Sequence, residues 1–539
     1  MSEAEQFDAL LEEFYPVWLR FHPDGAEALG DRRFADRYPA ADDDDIGALI
    51  SLLESFLVSL EELRFGALDP DRQLDAQLML GACSLEHQLL LESDWRHRDP
   101  LRFLPLRRLH RLTLRPTEGL PQILLVLLEG MPEYLRHARS HLSTFPGLVS
   151  RISLAAALEE AQAGVPFLRD LPRLSQVHRG ARLAAPLQGA AERAAEALSD
   201  FADFMGRELA PRAWSGLGVG EERYRCLLRR RHFLPWDLGR LRRLVEGSLE
   251  DLERSILELA QPLGVADLSG LESRLAGQAS LAGTERLALA TETCERLRKL
   301  ALEQSLASMP MSELRVAEKA SCVRPGLGEL SYLPSRGGGA QLLLAPLGEG
   351  EGETAQQLLN RCMDAGWLGL HLLEGDTHGG AVTLTRKLNP SPQLLDGWRI
   401  YVRDLLVRQG WLSEAEEAVA LLLHNRARLQ RALLDLDLHV SGLTYEDAVQ
   451  RMQALQGMTR ERANFELTRM CREPSDALAG VVGARSLEAL RQRMADLGEV
   501  SLGAFHDRVL SQGPVALPLV VRRVFGEKVW EELEQELAR

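Results

Sequence analysis

The sequence lacks any uninterrupted run of about eighteen apolar residues, so no membrane-spanning helix is expected. It lacks a basic segment followed by an apolar stretch at its start. Met1-Ser2-Glu3-Ala4-Glu5 is acidic, and a secretory signal is not expected. The six cysteines, Cys83, Cys226, Cys294, Cys322, Cys362 and Cys471, include no Cys-x-x-Cys pair. Their scatter speaks against a thiolate zinc site and against a disulfide framework, and it fits a reducing cytoplasm, the expected location. Positive charge is also in short supply. With 63 Lys and Arg against 79 Asp and Glu the formal net charge is −16, which excludes nucleic acid and an anionic membrane surface as expected partners.

What is present is the material of a large helical protein. The 539 residues, 45% hydrophobic and 26% charged, suffice for a sizeable core in one or two domains. Ile46, Leu49, Ile50, Leu53, Phe56 and Leu57 recur at helical spacing, and similar stripes run through 120–135, 241–259, 287–306 and 412–436. Pro23-Asp24-Gly25, Asp99-Pro100, Pro146-Gly147, Ser215–Gly220 and Pro235-Trp236-Asp237 separate such stripes as breakers. The run Asp42–Asp45 reads as a loop that becomes a helix N-terminus, where carboxylates suit the orphan N–H groups. Arg229–Arg231 and Arg240-Leu241-Arg242-Arg243 have no aromatic interleaving and read as solvated helix faces.

One region departs from the helical pattern. Leu314–Glu318, Glu329–Leu333 and Gln341–Ala345 are short apolar or alternating runs separated by Pro325-Gly326 and Pro334–Gly339. They predict a small β element near 314–345. The expected architecture is mainly α, with an N-terminal helical lobe over 1–310 and a C-terminal lobe over 311–539.

Three stretches concentrate polar residues among apolar ones. The first is Cys362-Met363-Asp364-Ala365-Gly366-Trp367-Leu368-Gly369-Leu370-His371-Leu372-Leu373-Glu374. The second is Asp396-Gly397-Trp398-Arg399-Ile400-Tyr401-Val402-Arg403-Asp404. The third runs from Arg431 through Asp435 and His439 to Thr444. In these stretches the chain resembles the bacterial family known as domain of unknown function 885. That family has a His-Glu-Ala-x-Pro-Gly-His-His-Leu-Gln helix, then Glu-Gly-Trp-Ala-x-Tyr-x-Glu, then Arg-x-x-x-Asp-x-x-x-His-x-x-Gly-Trp-Thr. Ala28–Phe34, Gly220–Leu228 and Phe505–Leu519 resemble its other segments in the same order, so the resemblance covers nearly the whole chain.

The resemblance implies a mostly helical, zinc-metallopeptidase-like fold with its site in a central channel. Such chemistry needs two imidazoles and a carboxylate on the metal, an open position for water, and a second carboxylate as base. Position by position the match has decayed. The family's His-Glu pair falls on Met363-Asp364 or on Asp364-Ala365, and of its later His-His pair only His371 remains, beside Leu370. Asp396 stands for the Glu of Glu-Gly-Trp. In Pro474–Gly483, which resembles Pro-Gly-Gln-Ala-Leu-x-Tyr-x-x-Gly, Asp476 replaces the glutamine and Gly480 the tyrosine.

Two sets of residues follow as candidates. Asp364, His371 and Glu374 could share a helix face and, with Asp396, hold a substitute metal, zinc by analogy. Against this, His371 among Trp367, Leu368, Leu370 and Leu372 reads as a core histidine. Arg431, Asp435 and His439, four apart, can pair along a helix and, with Tyr401, are expected to line the former channel. His378 reads as a solvated loop residue and Gly337-Gly338-Gly339 as a hairpin turn; no Gly-x-Ser-x-Gly elbow occurs. The expected function is a binding or assembly module without catalytic zinc or another cofactor. Its partner is an unspecified peptide, small molecule or protein. The alternative is an active metal-dependent peptidase or hydrolase with a rearranged site.

Overall fold

The computed structural model describes residues 2–114, 118–174, 177, 183–265, 267–319, 331–335, 339–347, 352–374, 382–412, 414–456, 458–498 and 500–537. Cys322, Pro325-Gly326, Gly337-Gly338 and His378 lie outside the described residues. The fold is mainly α, as the stripes require. Helix Asp43–Glu61 buries Ile46, Leu49, Leu53, Phe56 and Leu60 on one face. Asp42 caps it, its carboxylate accepting the Asp45 N–H at 2.7 Å. Pro23 marks a break as expected, the first helix ending at Phe21. It opens helix Pro23–Leu29, because proline's missing N–H costs nothing at the first helical position.

Three large cores organise the helices. Phe7, Phe14, Leu53 and Phe56 belong to a core under the N-terminal helices Glu3–Phe21, Asp43–Glu61 and Pro70–Glu92. Helices Leu120–Thr144, Arg151–Asp170 and Ala184–Phe204 enclose a second. Its packing is close because Ala190, Ala191, Ala194 and Ala195 offer no bulk on the buried face of the last helix. The largest core joins helices Leu238–Ala260 and Gly283–Glu303 to Ala355–Ala365, Pro392–Arg408, Ala415–Val440 and Asp476–Asp496. Since it takes Leu241, Val245 and Leu297 as well as Leu359, Trp398 and Leu436, the division into 1–310 and 311–539 cuts through it and stays a proposal only.

The β element stands where the short runs put it. Among the described residues the strands are β1 (Ser280–Leu281), β2 (Leu314–Glu318), β3 (Tyr332–Leu333), β4 (Ala340–Leu344) and β5 (Glu353–Thr354). β4 is central, parallel to β2 with Leu314 opposite Ala340, and antiparallel to β3 with Tyr332 opposite Leu342. Ala340, Leu342, Leu343 and Leu344 are buried, so β4 plugs the sheet into the largest core. β1 and β5 form a separate antiparallel pair. No described helix is long and apolar enough to cross a membrane.

Candidate functional site

The positions that resemble the family's motif segments do not converge on one open cavity. Asp364 and Asp396 come together, and what lies between them is a guanidinium. Arg428 Nη2 donates to Asp364 Oδ1 at 3.0 Å and Arg428 Nη1 to Asp396 Oδ1 at 2.8 Å. Arg403 donates to Asp364 at 2.6 Å, Arg399 pairs with Asp396, and His424 stands 3.5 Å from Asp364. Three helices supply the group: Ala355–Ala365, Pro392–Arg408 and Ala415–Val440. Burial pushes both carboxyls up, but the surrounding guanidiniums outweigh it. Asp364 is held well below the carboxylate range and Asp396 below its ordinary value. Burial pushes Arg403 down to about 10 and His424 to about 4, so His424 is neutral at pH 7.

His371 is elsewhere. Helix Leu370–Glu374 presses it against the three-stranded sheet, fully buried. Tyr332 Oη donates to its Nδ1 at 3.0 Å, and its Nε2–H donates to the Ser312 carbonyl at 3.0 Å. Burial pushes it down to about 4. With both nitrogens engaged it is the hydrogen-bonded core histidine that its apolar neighbours suggested, and Glu374 is exposed. The substitute metal site of Asp364, His371, Glu374 and Asp396 is therefore corrected, because two of its ligands are neutralised by arginine and a third is saturated. Among the described residues no group of three or more His, Cys, Asp or Glu side chains is arranged to hold a metal ion. The donors present do not fit zinc.

Gly480 has a structural reason. Helices Pro392–Arg408 and Asp476–Asp496 cross so closely that a Cβ at Gly480 would lie 2.8 Å from the Cβ of Asp396. A tyrosine at that position cannot be accommodated without separating the helices. Asp476, at the start of the same helix, pairs with Arg231 at 2.9 Å, with His232 3.7 Å away. Burial raises its carboxyl to about 8 in spite of Arg231. Ser475 and His232 are not a nucleophile and base. His232 Nε2 and Ser475 Oγ are 2.9 Å apart, but the hydroxyl donates to the Pro474 carbonyl and both side chains are fully buried.

The polar stripe is buried and braced. Asp435 Oδ2 accepts from Tyr224 Oη at 2.6 Å and from the Ser475 N–H at 3.1 Å, and Asp435 Oδ1 lies 3.4 Å from His439 Nε2. His439 donates from Nε2 to the Met470 carbonyl at 3.1 Å and accepts the Val219 N–H on Nδ1 at 3.4 Å. Arg431 reaches Glu466 at 3.9 Å. Tyr401 donates to His506 Nε2 at 2.8 Å, and His506 Nδ1–H donates to the Leu306 carbonyl at 2.6 Å.

The chain's large cavity, about 1300 Å³, is lined by none of Arg431, Asp435, His439 or Tyr401. It opens among the N-terminal helices, the segment 214–233 and the end of helix Arg460–Arg472. The stripe touches it only from behind. Gly218 and Val219 form part of the cavity wall, and they dock on the end of the stripe's helix. A Cβ at Gly218 would meet the Leu438 carbonyl oxygen at 2.5 Å, so only glycine fits there.

Sequence reasoning overlooked Arg428. The signal was available: Arg428 and His424 lie three and seven residues before Arg431, spacings that keep them near the face of Arg431, Asp435 and His439 on the same helix. The basic clusters are exposed at Arg229, Arg230 and Arg243, as a solvated face requires, and engaged elsewhere. Arg230 and Arg231 line the cavity, Arg240 lies 4.0 Å over the Trp236 ring, and Arg242 pairs with Asp437.

Two solved structures superpose on the whole chain. One is described as "a putative lipoprotein of unknown function" from Shewanella oneidensis, with a TM-score of 0.72 at 14% identity over 96% of this chain and 99% of that one. The other, "the putative lipoprotein" from Colwellia psychrerythraea, gives a TM-score of 0.81 at 14% identity over 99% and 100%. At this identity the likeness shows the fold alone. No curated protein matches the chain.

The expectation of a cytoplasmic location is overturned by these descriptions, which point to a membrane-anchored or extracytoplasmic setting for relatives of this fold. The cysteine argument behind that expectation was weak. Cys83, Cys294 and Cys362 are free and buried, and burial pushes Cys471 up to about 12. Buried thiols are shielded from oxidants in any compartment.

The family described as "Bacterial protein of unknown function (DUF885)" matches residues 23–343 and 373–524, most of the chain. The protein belongs to that family.

Proposed function

We propose that this protein is a non-catalytic member of its family, a binding module in which the positions resembling a metallopeptidase site serve as an internal brace. One observation carries the reading. The Arg428 guanidinium bridges Asp364 and Asp396, the two carboxylates that stand at family-site positions. It places a fixed positive charge where a metal would have to bind, and it is planar and five-donor, suited to joining two carboxylates. A divalent ion there would have to displace a guanidinium already paired on both sides. His371, the surviving histidine of the motif helix, is spent on Tyr332 and Ser312. His439 holds the segment 218–220 against its helix, so the stripe shapes the cavity wall without entering it. Binding is then the task of the cavity itself.

Elemental analysis of the full chain, purified without chelator and then dialysed against zinc, tests this reading. The expected result is well under one zinc per chain. A stoichiometric zinc lost on Asp364→Ala would overturn the reading and restore the metal-dependent hydrolase as its replacement.

A further inference from the structure

The cavity is charged against the sign of the protein. The chain as a whole carries −16, yet nine arginines and five carboxylates line the cavity among the described residues. Five of the arginines are answered. Arg107 pairs with Glu160, Arg108 and Arg111 with Asp24, Arg231 with Asp476, and Arg472 with Asp99. The other four, Arg98, Arg102, Arg223 and Arg230, have no carboxylate of a described residue within salt-bridge distance.

Two of these four are held in position without being neutralised. Arg102 lies 4.9 Å over the Trp95 ring, and Arg223 donates to Ser93 Oγ at 2.6 Å. Both contacts orient a guanidinium while leaving its charge and most of its N–H groups unanswered. Burial lowers Arg223, with Glu92 opposing the shift and neighbouring Arg98 adding to it. Burial likewise lowers Arg102, with Arg472 adding to the effect against Asp99. Burial is the largest influence on each, and an anion bound beside either guanidinium would relieve it.

The same cavity offers an apolar surface. Leu89, Leu148 and Trp214, three of the exposed large apolar side chains of the protein, face it. Unpaired guanidiniums select for phosphate or carboxylate, and the leucines and tryptophan require a body that gains from leaving water.

We propose that this cavity binds an amphipathic organic anion, a phosphate or carboxylate head on an apolar body, with Arg102 and Arg223 as its head-group ligands. The proposal rests on the cavity being the binding surface of a non-catalytic module, and it names the ligand class that the module takes.

Titration calorimetry of the full chain at low salt tests it, with decyl phosphate, decanoate and decanol as probes below their aggregation concentrations. Saturable binding of decyl phosphate at one site, at least tenfold tighter than decanol, is expected, weakening as salt is added. The combined Arg102→Gln and Arg223→Gln variant should lose at least tenfold in that affinity at an unchanged melting temperature. If that variant does not fold, Arg98→Gln with Arg230→Gln replaces it under the same criterion. Decanoate equalling decyl phosphate supports the proposal with carboxylate as the head, and a preference for decyl phosphate supports it with phosphate. Decanol binding as tightly as either anion, no saturable anion binding, or a folded double variant with undiminished affinity would each overturn it. Failure here leaves the zinc measurement untouched. Anion binding by a protein that also holds stoichiometric zinc would refute only the non-catalytic reading.

Discussion

The ion-pair group around Arg428 and the wall of the large cavity are made from the same side chains, yet they behave oppositely. Around Arg428 each carboxylate has a guanidinium at hydrogen-bond distance, and the carboxyls of Asp364 and Asp396 are held down. At the cavity four arginines lack carboxylate partners, and the wall's acids are not uniformly held down: burial raises Glu160 to about 7, whereas His22 outweighs burial and lowers Glu86. Arginine count does not separate the two regions. In the first, three helices close on the charges, so each must be answered from within. In the second the wall is open to water, and an unanswered cation is tolerated until a ligand arrives.

The contrast breaks most sharply at Arg428. Replacing it in Arg428→Met leaves two carboxylates facing each other in a closed site, and a loss of about 3–5 kcal/mol is expected for breaking a buried pair. Chemical denaturation at pH 7 measures it; a loss below about 1 kcal/mol would show that Arg399 and Arg403 suffice and that Arg428 is dispensable.

A smaller effect is expected where the stripe meets the cavity wall. His439→Ala orphans the Val219 N–H and the Met470 carbonyl, at a cost of about 1–3 kcal/mol. Hydrogen exchange should show faster opening at Val219 and Gly220. Unchanged protection there would mean that the stripe does not hold the wall.

The pH dependence sharpens the comparison, because Asp476, paired with Arg231 of the cavity wall, acts in the opposite direction to Asp364 and Asp396. Asp364 and Asp396 have depressed folded values, so their stabilisation is present above the unfolded carboxylate range and is lost as pH falls through the folded values. Asp476 has a raised value, so the folded state keeps a proton that the unfolded chain has released. Its contribution is full below the unfolded value and declines as pH rises toward about 8. Asp476→Asn should therefore raise stability modestly at pH 5 and considerably more at pH 8, read as denaturation midpoints. Equal shifts at the two pH values would contradict the raised value.

The smallest effect belongs to the open region. Arg102→Gln should change stability by no more than about 0.5 kcal/mol, as for a surface substitution, because no carboxylate depends on that guanidinium. A loss like that of Arg428→Met would mean that the two regions are not different in kind.

Much of the fold was legible because its signals are local. The stripe from Ile46 to Leu57 predicted the buried face of a helix and Asp42 its cap, since both depend on neighbours within a turn or two. The β element near 314–345 was legible from alternation and length, and strands lie there at 314–318, 332–333 and 340–344. Pro23 was legible as a break between helices but not as the first residue of the next one, because a proline marks a helix start as well as a break.

The site was only half legible. Motif order identified Asp364, Asp396, Asp435 and His439 as positions of interest, and helical spacing anticipated the Asp435–His439 contact, 3.4 Å apart. What each position does was settled by residues distant in sequence. Arg428 reaches Asp364 across 64 residues, Tyr224 reaches Asp435 across 211, and Val219 reaches His439 across 220.

By itself, then, the sequence determined the helical class, the place of the small sheet and which polar residues are unusual, because periodicity, capping and motif spacing are properties of short stretches. Only the tertiary structure decided that Gly480 is a point of helix contact, that His371 is saturated, and that unpaired arginines collect on one cavity wall in an acidic chain. Those outcomes depend on which surfaces meet, and a charge is answered or left open by neighbours that the chain brings in from hundreds of residues away.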